Sequence, residues 1–469
     1  MRYNQSSDFT IGVEELNYLT GRIIPPYTIL VAGHPGAGKT TLGATICYSN
    51  AVRGKKCLYV SFYEEKDKLY AYMERLGIKL RDAESRGLLK FLRLPATMDA
   101  ENLANTLSKT IMEGFQVVVI DSITVLLESL RENVEKRAWL LNYFYQLPSV
   151  FNGLLVLISE LPFGEEKLTP LPAEFVSDAI FVLKHKIEDR YLVRLLEIRK
   201  ARGAPVHIAE VPFVIMENKG IVLHVQPVLE DIRESLEEVE LPCRILQEKL
   251  KHLRRGFVIN VFYPPDAVYG RDVLAFLLAL AVKHDFKTLF LSYISSPNTI
   301  RDDTVNIVAK SGLSRDIAEK LVDEYIVFRA INPFAYSLSE LSMREEELIN
   351  SVDPDIIVFH GVHVSSSIHE AHTYFKELYR QVVYFKQKGK MVVRIGSCVD
   401  ELSCNLQSSI ADTTIKVTRI FVENKYITLV QIFRRFVEPE VVSTSELGDC
   451  LMECLEVIKK RAIELYSGN

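Results

Sequence analysis

YTILVAGHPGAGKTTL (Tyr27–Leu42) reads as strand, loop and helix in one unbroken stretch. An apolar, β-rich run, Tyr27–Ala32, feeds a glycine loop, and a helical pattern starts at Thr40. Gly33–Thr40 fits G-x-x-x-x-G-K-[ST], and a preceding strand with a following helix is the context that gives this spacing its meaning. Glycines let backbone N–H groups turn inward around phosphate oxygens, and the helix N-terminus adds partial positive charge. The expected phosphate cradle is Gly33, His34, Pro35, Gly36, Ala37, Gly38, Lys39, Thr40 and Thr41. Lys39 would reach the β and γ phosphates, Thr40 would ligate Mg2+ through its hydroxyl, and Thr41 would meet the α phosphate. The expected ligand is ATP with Mg2+.

Outward from this loop, strand-like and helical stretches alternate. Lys56–Phe62, Val117–Asp121 and Leu154–Ser159 read as strands, with a helical stretch at Leu69–Leu76. Such alternation predicts an α/β fold with a mainly parallel sheet flanked by helices. Asp121 ends the run VVVID, and a carboxylate there sits on the ligand edge of an open α/β sheet, where it can hold the magnesium. Glu64 and Glu65 follow the second strand, where a carboxylate can orient and deprotonate an attacking water. Lys200 and Arg202 follow the strand-like run Leu192–Ile198, and a basic pair there suits an arginine finger reaching a neighbour's γ phosphate.

The second half repeats this order. KKCLYVSFYEE (Lys55–Glu65) aligns with FKTLFLSYISS (Phe286–Ser296), QVVVIDS (Gln116–Ser122) with DIIVFHG (Asp355–Gly361), and VSDAIFVLK (Val176–Lys184) with IADTTIKVT (Ile410–Thr418). Two tandem copies of one fold are therefore expected: residues 1–229, an acidic, helix-flavoured linker 230–242, and residues 243–469.

The chain has 469 residues, enough for two or three domains, with 48% hydrophobic and 25% charged residues, as in globular proteins. A net charge of −5 gives no global reason to bind nucleic acid or an anionic membrane. The N-terminus lacks the layout of a signal peptide, and the longest apolar run, Val273–Val282, is far shorter than a membrane span of roughly 20 residues. A cytoplasmic protein is expected. The seven cysteines fit no zinc spacing and read as buried or free thiols.

The constellation resembles the RecA/RadA-like P-loop ATPases, and most closely the KaiC family. The carriers are Gly12–Gly33, the loop GHPGAGKTT, VSFYEE, VVVIDS, EFVSD (Glu174–Asp178) and KARG (Lys200–Gly203). The resemblance implies a water-activating Glu after the second strand, a Lys-x-Arg pair acting across the interface of a hexameric ring, and slow ATP hydrolysis. These roles fall on Glu64, Lys200 and Arg202. Where family members often have Phe-Glu-Glu, Tyr63 stands between Phe62 and Glu64, which leaves Glu65 a secondary claim.

Alignment of the two copies predicts that the second has lost the site. Arg271 replaces Lys39, Asp272 Thr40, Pro265 Gly33, Val268 Gly36, Ser295 Glu64, His360 Asp121 and Phe436 Arg202. A structural, regulatory or partner-binding role is expected for that copy, with an unidentified regulatory protein as one partner. His360, His363, His369 and His372 are expected to be packed or surface histidines rather than metal ligands. Ser408 and Ser409 fall where the family's C-terminal domain is autophosphorylated, and without an intact loop they are expected to stay unmodified. A RadA-like DNA-binding ATPase is the alternative. The loop Ser159–Pro172, which would face DNA, carries three Glu and a single Lys, and KLKHLRRG (Lys249–Gly256) is the only dense basic run. A nucleotide-gated scaffold with negligible turnover is a further alternative.

Overall fold

Tyr27–Gly33 is buried along its whole length, which is what an apolar strand with helices over both sheet faces requires. In the computed structural model, which describes residues 9–162, 177–188, 190–225, 235, 237–250, 253–264, 272–422, 425–435 and 437–466, this strand, β1, pairs in parallel with a neighbour on each side. The chain divides into two compact units, Met1–Val225 and Gln226–Asn469. The expected boundary at 229/230 falls outside the described residues.

In the first unit the strands are β1 (Tyr27–Gly33), β2 (Cys57–Ser61), β3 (Leu89–Arg93), β4 (Val117–Asp121), β5 (Leu154–Glu160), β6 (Ala179–Glu188), β7 (Tyr191–Ala201), β8 (Glu210–Met216) and β9 (Gly220–Leu223). They order as β3-β2-β4-β5-β1-β6-β7-β8-β9, parallel as far as β6 and antiparallel beyond. The short strand β3 was not anticipated. It follows a helix of only six residues, Leu80–Ser85, too brief to show a period.

The second unit repeats the topology. Its strands are β10 (Val258–Tyr263), β11 (Thr288–Ser292), β12 (Ile326–Ala330), β13 (Ile356–His360), β14 (Met391–Ser397), β15 (Thr413–Val422), β16 (Lys425–Arg434) and β17 (Val437–Val442), ordered β12-β11-β13-β14-β10-β15-β16-β17. Registers match as well as order. Ser61 pairs with Asp121 as Ser292 pairs with His360, and Thr28 N–H donates to Asp178 as Val258 N–H donates to Asp412. Both units are α/β with mainly parallel sheets flanked by helices, as tandem RecA-like domains require.

Two expectations are corrected. The acidic stretch Glu230–Glu240 is not helical where it is described: Glu238 bridges to Arg254, and Val239 is buried in the second unit's core. Nor are the cysteines all thiols. Cys47–Cys57, Cys243–Cys450 and Cys398–Cys404 are disulfides, and Cys454 is the one free thiol. Two of the pairs lie 10 and 6 residues apart in the chain, while helix packing brings Cys243 to Cys450 across 207 residues.

The units differ in one layer of the core. In the first, Phe62 and Leu157 lie in an apolar cluster. The matching strand positions of the second are Tyr293 and Arg394, the latter fully buried. Tyr293 Oη donates to Glu345 Oε1, Gln381 Nε2 donates to Glu345 Oε2 at 2.7 Å, and Arg394 Nη2 donates to Tyr374 Oη at 2.8 Å. These groups line a cavity of about 20 Å³, room for one water. Burial pushes the Glu345 carboxyl from 4.5 up to about 7, against the pull of its hydrogen bonds and Arg394. Folding therefore favours protonated Glu345. Its contribution is fully present below pH 4.5 and is lost as pH rises through about 7. Between pH 5 and 8, wild type should lose on the order of 3 kcal/mol of stability relative to Glu345→Gln. Parallel unfolding curves for the two proteins across that range would contradict this.

Candidate functional site

The loop between β1 and the helix Lys39–Val52 stands at the carboxyl edge of the first sheet. Gly33 is obligatory where strand meets loop: a Cβ there would lie 2.1 Å from Leu183 O, and the next amide, His34 N–H, donates to that oxygen at 3.0 Å. Gly36 sits at φ +74°, and a Cβ on it would meet nothing within 4 Å, so the loop curls around open space. Gly38 precedes the helix, and no side chain caps the helix's first amides. Those donors are left for an anion. Ala37, Lys39 and Thr41 are buried beneath the loop, as is His34, which packs edge-on against His185.

Lys39, 4% exposed, extends its ammonium to His34 O and to Glu160 Oε2, both at 2.8 Å. Thr40 Oγ1 donates to Asp121 Oδ2 at 2.9 Å, and Tyr59 Oη donates to the same oxygen at 2.7 Å. Burial raises the Asp121 carboxyl above its ordinary value, with Glu160 adding to the rise, while the bonds from Tyr59 and Thr40 and the charge of Lys39 oppose it. Burial next to that carboxylate holds the Tyr59 phenol well above its usual value. The oxygens of Thr40 and Asp121 form a hard donor pair at the rim of the phosphate loop, which fits Mg2+.

The two candidate bases part company. Ser61 Oγ accepts from Glu64 N–H at 3.0 Å and donates to Glu64 O at 3.2 Å, so a tight turn follows β2 beside Asp121. Glu64 is partly exposed, 3.9 Å from Lys68, and its charge reaches the Tyr59 phenol. Glu65 turns toward β3 and pairs with Arg93 at 2.9 Å. Geometry favours Glu64 over Glu65.

Lys200 and Arg202 are not brought to this site. Arg202 Nη1 donates to Asp178 Oδ1 at 2.8 Å, and Asp178 Oδ2 accepts from Thr28 N–H. Thr28 lies at the far end of β1, five residues from Gly33, or roughly 17 Å. Lys200 pairs in register with Ile180, toward the same far edge. Glu174–Val176 lie outside the described residues.

Two residues were missed. Glu160 ends β5 opposite Gly33, as Asp121 ends β4, and the rule that singled out Asp121 would have found it. Tyr59 lay inside a strand, where an aromatic reads as core.

In the second unit His360 takes the Asp121 position and accepts from or donates to Ser292 Oγ through Nδ1 at 3.0 Å. Burial lowers its pKa to about 4, helped by nearby His363, and keeps it neutral. Phe290 stands where Tyr59 is, and Ser397 where Glu160 is. Ser295 and Asp272 are described, whereas Pro265, Val268, Arg271 and Phe436 are not. The four histidines are not among the groups that converge as metal ligands. Ser409 is exposed and Ser408 half-buried on the helix Glu401–Ile410.

A glycine loop at the carboxyl edge of a parallel sheet, with Lys, Thr and a strand-end Asp converging on it, defines a P-loop fold of the RecA type. Within that class the first unit is KaiC-like: residues 9–228, just under half of the chain, match the KaiC ATPase family model. The chain is similar to the circadian clock oscillator protein KaiC of Parathermosynechococcus lividus, 23% identical over 214 residues, 45% of this chain and 39% of that protein. It therefore spans well under half of that relative's length. It is 26% identical to the UPF0273 protein of Thermotoga maritima over 235 residues, 45% of this chain and 93% of the relative. It is also 24% identical to the DNA repair protein RadA of Aquifex aeolicus over 373 residues, 77% of this chain and 75% of the relative.

Glu160 holds the Lys39 ammonium that a bound phosphate would take. Glu160→Gln should tighten ADP binding about fivefold, the effect of one charge-assisted contact worth ~1 kcal/mol. Calorimetric titration checks this, and weaker binding in the variant would contradict it.

Proposed function

We propose that the first unit binds Mg2+-ATP and hydrolyses it slowly, in a homo-oligomeric ring, while the second unit has lost catalysis and serves regulation or partner binding. The observation that carries this reading is the convergence of Lys39, Thr40 and Asp121 beside an uncapped helix N-terminus. Lys39 and the loop amides bind and orient the phosphates. Thr40 and Asp121 would hold Mg2+, which when bound neutralises charge on the phosphate oxygens. Glu64 orients the attacking water and accepts its proton.

A ring is supported by where Arg202 stands. It is 71% exposed and about a strand's length from its own loop, so it can serve a phosphate only on a neighbouring chain. Lys200 shares that edge. A hexamer is the assembly the resemblance implies.

The similarity to RadA supports a second reading, a DNA-binding ATPase. Retention on single-stranded DNA at physiological salt, lost as salt rises, would favour it.

Glu64→Gln should lower turnover at least about a hundredfold with nucleotide binding retained. Arg202→Ala should lower it about a thousandfold. Mixing the two variants should restore part of the activity, because a mixed ring contains interfaces with both groups intact. Turnover equal to wild type in either single variant would remove the proposed roles, and no recovery on mixing would remove the ring.

A further inference from the structure

Three cysteine sulfurs meet in the second unit. Cys243 immediately precedes the helix Arg244–Leu250, and Cys450 and Cys454 lie one turn apart on the helix Thr444–Tyr466, hence on one face. The three Sγ atoms lie within 4.8 Å of one another, and all three residues are buried. Cys243 and Cys450 are joined as a disulfide, with Cys454 beside them as a thiol.

The obvious use of a thiol beside a disulfide is exchange, and the surroundings oppose it. Burial, with the Glu453 and Asp272 carboxylates adding to it, pushes the Cys454 thiol up to about 12. Such a thiol is a poor nucleophile near neutral pH. A metal ion changes the balance, since it displaces the proton and binds the thiolate directly. Around one zinc-sized ion, with bonds of about 2.3 Å, three thiolates stand roughly 4 Å apart. The sulfurs lie within 4.8 Å of one another, close to that spacing, and opening the Cys243–Cys450 bond lets the bonded pair move apart to it. Soft thiolates select thiophilic cations, and the carboxylates of Glu453 and Asp272 add negative charge that favours a divalent one.

We propose that, when the Cys243–Cys450 bond is reduced, Cys243, Cys450 and Cys454 together bind one thiophilic divalent cation of the Zn2+ class. The ion replaces the disulfide as the clip between two helices whose cysteines are 207 residues apart. Reduction adds two electrons and two protons to the disulfide, supplied by a dithiol that is itself oxidised to a disulfide. Metal binding then forms three S–M bonds and releases three thiol protons.

The test uses the full chain, reduced and freed of reductant under nitrogen, titrated with Cd2+ as a spectroscopic substitute for Zn2+. The proposal expects a sulfur-to-cadmium charge-transfer band that Cys454→Ser and Cys454→Ala each weaken at least about tenfold in affinity. Affinity should rise with pH as the released protons require. Zn2+ should compete, and Cys47→Ser and Cys398→Ser should leave this binding unchanged. The disulfide-bonded protein should show no such band. Absence of the band in the reduced chain, or unchanged affinity in both Cys454 variants while their circular dichroism matches wild type, would overturn the proposal.

Discussion

The parallel pairing of β1 with β5 on one side and β6 on the other is the constraint on which the first unit depends. It buries all seven residues of Tyr27–Gly33, so the chain can leave the strand only at its carboxyl end. The glycine loop, Glu160 at the end of β5 and Asp121 at the end of β4 therefore emerge on one edge. The same pairing sends the antiparallel return strand β7 to the opposite edge, where Arg202 is tied to Asp178. One piece of sheet geometry thus concentrates the groups proposed to bind phosphate and separates them from the basic pair.

Much of this was legible in the sequence because it is local. The loop and its flanking strand and helix sit within sixteen consecutive residues, and Asp121 is marked by the apolar run that it ends. The tandem repeat was legible because matching strands carry matching patterns, and the registers of Asp121 and His360 agree with the alignment. What was not legible is three-dimensional. Tyr59 reads as a core aromatic until its hydroxyl is seen on Asp121. Glu160 opens a loop in sequence but faces Lys39 in space. The disulfides join residues whose spacing carries no signal.

The second unit keeps the scaffold while its chemistry has moved. At the strand ends His360 and Ser397 replace Asp121 and Glu160, and inside the strand Phe290 replaces Tyr59, removing two carboxylates and the phenol that braced one of them. Beneath the sheet the trend reverses: Arg394, Glu345 and Tyr293 bring ionisable groups into a layer that is apolar in the first unit. Burial drives the Glu345 carboxyl toward its neutral form, and the contacts with Tyr293 and Gln381 satisfy its oxygens.

The central claim is that one of the two copies binds nucleotide. Native mass measurement of the full chain with Mg2+ and a non-hydrolysable ATP analogue tests it most directly, through the number of nucleotides per chain. The account predicts one nucleotide per chain in the wild type and none in Lys39→Ala. Two per chain, or one that persists in Lys39→Ala, would contradict it.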